Sequence, residues 1–178
     1  RALLLDNYSG TWNNRAASCK ALERYEETIQ SLNQVIAMEP QYADAYTNRG
    51  IAWYQLKQYK KAIENYDSAI AINATNPVVY YNKGVCLNEI KKYHAAIDNY
   101  DQAIAIKPNY VDAYSNRGIV FHILKKYEKA IGDYNSAIAI TPDKADFYFN
   151  RAVSFCDLRK YQLSIDDYKK AIALRLDY

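Results

Sequence analysis

A block of 34 residues, repeated without a gap, limits what this chain can fold into. The stretch from Val111 to Lys144 shows it best. Displaced by 34, Tyr114, Gly118, Tyr127, Ala130 and Ile138 fall on Tyr80, Gly84, Tyr93, Ala96 and Ile104. A second displacement reaches Tyr46, Gly50, Tyr59, Ala62 and Ile70. Five frames fit: 9–42, 43–76, 77–110, 111–144 and 145–178. A unit this short cannot bury its hydrophobic face alone. The periodicity therefore predicts one array of stacked units rather than a single globular core.

Within a frame the apolar residues have helical spacing. Tyr46, Trp53 and Leu56 follow one another with small Gly50 between; Ile63, Tyr66, Ala69, Ile70 and Ile72 continue the rhythm. Two amphipathic helices per frame result, with a turn near Lys57-Gln58. Glycine inside a helix costs roughly 1 kcal/mol relative to alanine. Recurrence at Gly50, Gly84 and Gly118 therefore implies close packing, matched on the second helix by Ala62, Ala96 and Ala130.

The frame resembles a tetratricopeptide repeat. That family's pattern runs W-x2-L-G-x2-Y, A-x3-F and a closing P. The fourth frame gives Tyr114, Arg117, Gly118 and Phe121, then Ala130, Tyr134, Ala137 and Pro142. A basic residue (Arg15, Arg49, Lys83, Arg117, Arg151) replaces the pattern's Leu throughout, and the outer frames depart further. The resemblance implies an all-α solenoid of helix-turn-helix units wound into a right-handed superhelix. First helices would line its concave face.

Bulk properties exclude more than they assign. A net charge of +3 is too small to imply nucleic acid. No stretch approaches the length of a membrane span. Cys19, Cys86 and Cys156 lie whole frames apart, which predicts free thiols and a reducing, cytoplasmic setting. No phosphate loop, HExxH or CxxC occurs, so no cofactor or metal is expected. His122 and Cys156 occupy equivalent places in adjacent frames. Asp157 is expected about 100° round the helix from Cys156, which leaves no placed catalytic set and points away from an enzyme.

At the ends, residues 1–8 read as the remnant of a preceding repeat or as a cap. The chain begins without methionine, as a fragment would. The last helix has no polar partner after it, so an uncapped end is expected to continue or to meet another molecule, including a second copy. Asn76 before Pro77 is a helix-start signal.

Function is sought on the first helices. Every frame carries an asparagine in register: Asn14, Asn48, Asn82, Asn116 and Asn150. Helix interiors disfavour asparagine, and its amide can both donate to and accept from a peptide backbone. In the superhelix of O-linked N-acetylglucosamine transferase a similar ladder holds peptide, so the resemblance implies peptide binding for these five. The alternative is that each amide bonds its own helix or a neighbour. Thr47, Tyr81, Ser115 and Phe149 are expected beside the ladder; Ala17, Ile51, Val85, Ile119 and Val153 one turn on; and Lys20, Tyr54, Asn88, His122 and Cys156 beyond. The carboxylate clamp with which another subgroup grips chaperone tails is not matched. Its places hold Asn13, Ala17, Asn48, Val78 and Asn82.

Two basic rows have competing readings. Arg15, Arg49, Lys83, Arg117 and Arg151 either face an acidic ligand or pack against second-helix carboxylates such as Asp133 and Asp167. Arg24, Lys57, Lys91-Lys92, Lys125-Lys126 and Arg159-Lys160, at the turns, either satisfy helix C-termini or meet an anionic surface. The sequence thus predicts an interaction module for an extended peptide. An assembly scaffold using its edges or convex face is the alternative, and a substrate-docking domain of a larger enzyme is a third.

Overall fold

The computed structural model describes the backbone of residues 2–176 and the side chains of residues 8–176. Among these residues there are ten helices and no strand. They are α1 (Ala2–Ala21), α2 (Tyr25–Met38), α3 (Ala43–Gln55), α4 (Tyr59–Ile72), α5 (Pro77–Glu89), α6 (Tyr93–Ile106), α7 (Val111–Ile123), α8 (Tyr127–Ile140), α9 (Ala145–Asp157) and α10 (Tyr161–Leu176). Odd-numbered helices are the first of each pair. From the second pair onward they start at the frame boundaries, and every second helix starts at a tyrosine.

Two compact units divide the chain, Arg1–Lys91 and Lys92–Tyr178, and the division falls after α5, inside the frame 77–110. In the first, α1 packs on α2, α2 on α3, α3 on α4 and α4 on α5. In the second, the same succession runs from α6 to α10. No helix among the described residues is long and apolar enough to cross a membrane.

The N-terminal expectation is corrected. Residues 2–8 run without a turn into the rest of α1, so they are neither the end of a separate preceding helix nor a detached cap. Alone among the first helices, α1 carries these extra turns.

The small residues of the repeat have a visible cause. A Cβ on Gly50 would stand 2.6 Å from Cε1 of Tyr66, and one on Gly118 would stand 2.8 Å from Cε1 of Tyr134. Both tyrosines are 1% exposed, so the rings cannot swing aside. Ala62 and Ala69 join Tyr66, Val79 and Cys86 in one buried cluster.

Each turn from a first to a second helix has the same backbone. The residue after the helix is left-handed with φ near 57–59°, yet never glycine: Glu23, Lys57, Lys91, Lys125 and Arg159. At Lys57 its amide donates to the Tyr54 carbonyl at 2.8 Å, and the Gln58 amide donates to the Trp53 carbonyl at 2.9 Å. This pair of bonds is the Schellman motif, and it recurs at Lys125-Lys126 and Arg159-Lys160. Backbone amides therefore satisfy these helix ends, a role the sequence reading had given to the basic side chains. At the start of α5 the Asn76 side chain accepts from the Val78 amide at 3.0 Å, with Pro77 in the first turn, as the sequence predicted.

Candidate functional site

The basic column beside the asparagines is spent inside the fold. Each head reaches a residue 16 positions on, in the second helix of its own pair, or 16 back, in the preceding one. Arg117 donates through Nε and Nη2 to both Asp133 oxygens, at 2.9 and 2.6 Å, and also pairs with Asp101. Arg151 holds Asp167 by two 2.7 Å bonds and Asn135 by a third. Arg49 holds Asn65 and Asn33, at 2.6 and 2.7 Å. Arg15 donates to Ser31 and Glu27, and Lys83 pairs with Asp67 at 2.5 Å.

Aromatic rings complete the column. Arg15 lies over Trp12, Arg49 over Tyr46, Arg117 over Tyr114 and Arg151 over Tyr148, at 5.3–5.6 Å from the ring centres. Burial alone would lower the pKa of Arg117, but its two carboxylates outweigh that and hold it above the ordinary range. Burial lowers that of Arg49, whose guanidinium bonds only neutral amides. These five residues are clamps between second helices, so the reading as a strip for an acidic ligand is set aside.

The asparagines behave differently. Asn48, Asn82, Asn116 and Asn150 are half-buried, and Asn14 is exposed. Among the described residues the side-chain amides of Asn14, Asn48, Asn82 and Asn150 have no hydrogen-bond partner, so each keeps two donors and an acceptor for a ligand. Within the first unit α3 also touches α5, and within the second α7 touches α9. Neighbouring first helices thus bring Asn48 beside the helix of Asn82, and Asn116 beside that of Asn150.

Two cavities open beside the first unit's asparagines. One, of about 170 Å³, is lined by Ile51, Tyr54, Gln55, Tyr66, Asn82 and Val85. The other, of about 120 Å³, is lined by Asn13, Ala16, Ala17, Lys20, Thr28, Leu32 and Asn48. They are equivalent sites one repeat apart: Ala17, Lys20, Leu32 and Asn48 sit where Ile51, Tyr54, Tyr66 and Asn82 sit 34 residues on. Ile51, Tyr54, Asn82 and Val85, four of the residues proposed from the sequence, thus share one wall. Tyr81 and Ile119 are half-buried on their helices. Thr47 does not join the expected polar rail; it is 8% exposed and its hydroxyl donates to the Ala43 carbonyl at 3.0 Å. Sequence reasoning missed Leu32 and Tyr66 as cavity walls, because second-helix residues carry no mark of which gap they floor.

His122 is tied to its neighbours. Nδ1 lies 3.1 Å from Ser154 Oγ, Nε2 lies 3.4 Å from Asp157 Oδ2, and the Tyr127 ring is 5.3 Å away. Asp157, expected to point elsewhere, does approach the imidazole. The trio of Ser, His and Asp is not a nucleophilic site, because Ser154 is fully buried and already bonds the Asn150 carbonyl at 3.1 Å. Cys19 and Cys86 are buried free thiols and Cys156 is an exposed one. No group of three metal-ligating side chains converges among the described residues.

The comparisons agree with this geometry. A family profile described as "TPR repeat" matches residues 18–57, 87–124 and 120–158, and one described as "Tetratricopeptide repeat" matches residues 43–76. No curated protein sequence matches. Among solved structures, a MamA protein superposes with a TM-score of 0.88 at 21% identity, over 95% of this chain and 92% of that one. MamA from Desulfovibrio magneticus RS-1 gives 0.90 at 19% identity, over 96% of each chain. YrrB, described as a TPR protein with an unusual peptide-binding site, gives 0.80 at 18% identity, over 94% of this chain and 86% of that one. Identities this low carry the fold alone, whereas the family profiles span more than half of the chain: it belongs to the tetratricopeptide repeat family.

Proposed function

We propose that the chain is a protein–protein interaction module with no chemistry of its own. It holds an extended segment of a partner protein along the faces of its first helices, within the groove that the family resemblance implies. Asn14, Asn48, Asn82, Asn116 and Asn150 pair with the segment's main chain. Ile51, Tyr54, Tyr81, Val85, Ile119 and His122 meet its side chains. One contrast carries this reading: the basic column is consumed within the fold, while the amides of Asn14, Asn48, Asn82 and Asn150 have no partner in it. A buried or half-buried amide without a partner costs free energy, and a peptide backbone supplies what it lacks.

The test uses peptides selected from a displayed random library. Replacing Asn48 and Asn82 together by Ala should weaken their binding by about tenfold or more, the worth of roughly 1.4 kcal/mol of hydrogen bonding. Melting temperature should hardly move, since neither amide has a structural partner to lose. Unchanged affinity in the double variant would reject the reading.

A second reading, self-association or scaffolding through the last helix, is favoured by one observation. Ile165 is 46% and Ile172 59% exposed, whereas Ile97, at the position of Ile165 two repeats back, is 9% exposed. A monomer mass in light scattering across a wide concentration range would remove the self-association form of it.

A further inference from the structure

The two cavities of the first unit are built alike but lined differently, and the difference specifies a ligand. In the second cavity Ile51, Tyr54, Tyr66 and Val85 give apolar and aromatic walls, with Asn82 and Gln55 as its amides. A dry cavity of about 150 Å³ holds a benzene ring, so 170 Å³ suits a leucine-sized or aromatic side chain.

In the first cavity Tyr54 is replaced by Lys20 and Ile51 by Ala17. The space is smaller, 120 Å³, and its rim carries one ammonium and the amides of Asn13 and Asn48. Neither amide has a hydrogen-bond partner among the described residues, no carboxylate lines the cavity, and Lys20 makes no ion pair there. The nearest acidic side chain along the chain that does pair, Glu27, is taken by Arg15 and Arg24. A cation flanked by two amide donors, with no anion, is complementary to a carboxylate.

We propose that the first unit selects partner segments carrying an acidic group, seated against Lys20, Asn13 and Asn48, and one repeat away a bulky apolar side chain, seated against Tyr54, Ile51 and Val85. This deepens the peptide-binding reading and rests on it. Lys20 also ends α1, where a cation favours the helix dipole. That role would show in stability and not in ligand choice.

The experiment selects a displayed library of random short peptides on the full chain and on two variants. On the unaltered chain the selected peptides should share an Asp, Glu or terminal carboxylate at a fixed separation from a large apolar residue. On Lys20→Glu the acidic position should switch to Lys or Arg while the apolar position stays. Peptides from the first selection should lose tenfold or more in affinity for this variant, with its melting temperature unchanged. On Tyr54→Ala the apolar position should relax and the acidic one persist. Selected peptides without an acidic position, or with one indifferent to Lys20→Glu, would overturn the proposal. If those peptides still weaken on Asn82→Ala, the peptide-binding reading survives it. A library that yields no binder, or binders indifferent to both Lys20→Glu and Asn82→Ala, would overturn the two together.

Discussion

At the scale of the residue, Gly118 shows a sequence rule confirmed through a specific atom. Its recurrence implied a close approach, and the approach is to the ring of Tyr134, where an added Cβ would lie 2.8 Å from Cε1. Gly132, on α8, offers the matched control, because nothing lies within 4 Å of the Cβ it lacks. Gly132→Ala should stabilise the protein by roughly 0.5–1 kcal/mol, the helix-propensity gain. Gly118→Ala makes the same gain and meets a buried ring, so overpacking of about 1–3 kcal/mol should leave it net destabilised. Urea denaturation of the two variants gives the difference directly. Equal and favourable shifts would mean that Tyr134 yields. The partner was not legible in the glycine itself; it emerges only when the offset of 16 residues, shared with the arginine clamps, is seen in space.

Among the elements, the helix pairs were legible and the turns were not. Binary patterning fixed where Ala43, Pro77, Val111 and Ala145 begin helices, and the Asn76-Pro77 start is a side-chain signal that can be read directly. A left-handed residue is ordinarily announced by glycine or asparagine. Here Lys57, Lys91, Lys125 and Arg159 hold that conformation, so nothing in the sequence marked it. The left-handed region costs an L-residue about 1 kcal/mol or more, and the Schellman bonds keep it populated. Lys125→Gly should therefore raise stability by about 0.5–1 kcal/mol even though it removes an exposed side chain and gives the unfolded chain more freedom. Thermal melts of that variant and of Lys126→Gly make the comparison. The second change removes a neighbouring charge without relieving a left-handed residue, and it should not stabilise. If the two behaved alike, backbone strain at Lys125 would not be the cause.

Over the whole molecule, the period was plain in the sequence because stacked units must repeat their contacts. The candidate site was legible only by half. Register placed the asparagines, but whether their amides were occupied, and that Lys20 and Tyr54 line matching cavities, depended on second-helix residues such as Leu32 and Tyr66. The same buried tyrosines that floor and pack the repeats give both units a shared response to alkali. Burial pushes the Tyr66 and Tyr134 hydroxyls above their ordinary 10.0, and Cys86 and Asp133 beside them add to it. Burial, helped by Glu89, pushes the Cys86 thiol from 9.0 up to about 12. All three are neutral when folded and ionise sooner when the chain is unfolded. Their contribution is thus complete below pH 9 and is lost as pH rises through the folded values. Each group costs at most about 1.4 kcal/mol per pH unit inside its window, so Cys86 alone should remove about 1–2 kcal/mol by a pH of about 10.5. Urea midpoints measured from neutral pH upward should stay level and then fall above about pH 9. Cys86→Ala should flatten the first part of that fall, and the absorbance of ionised tyrosine should show Tyr66 and Tyr134 titrating only as helix is lost. Stability that stayed level well past pH 10, with all tyrosines ionising in the folded protein, would show that these rings are open to water and that the repeats do not pack around them as described.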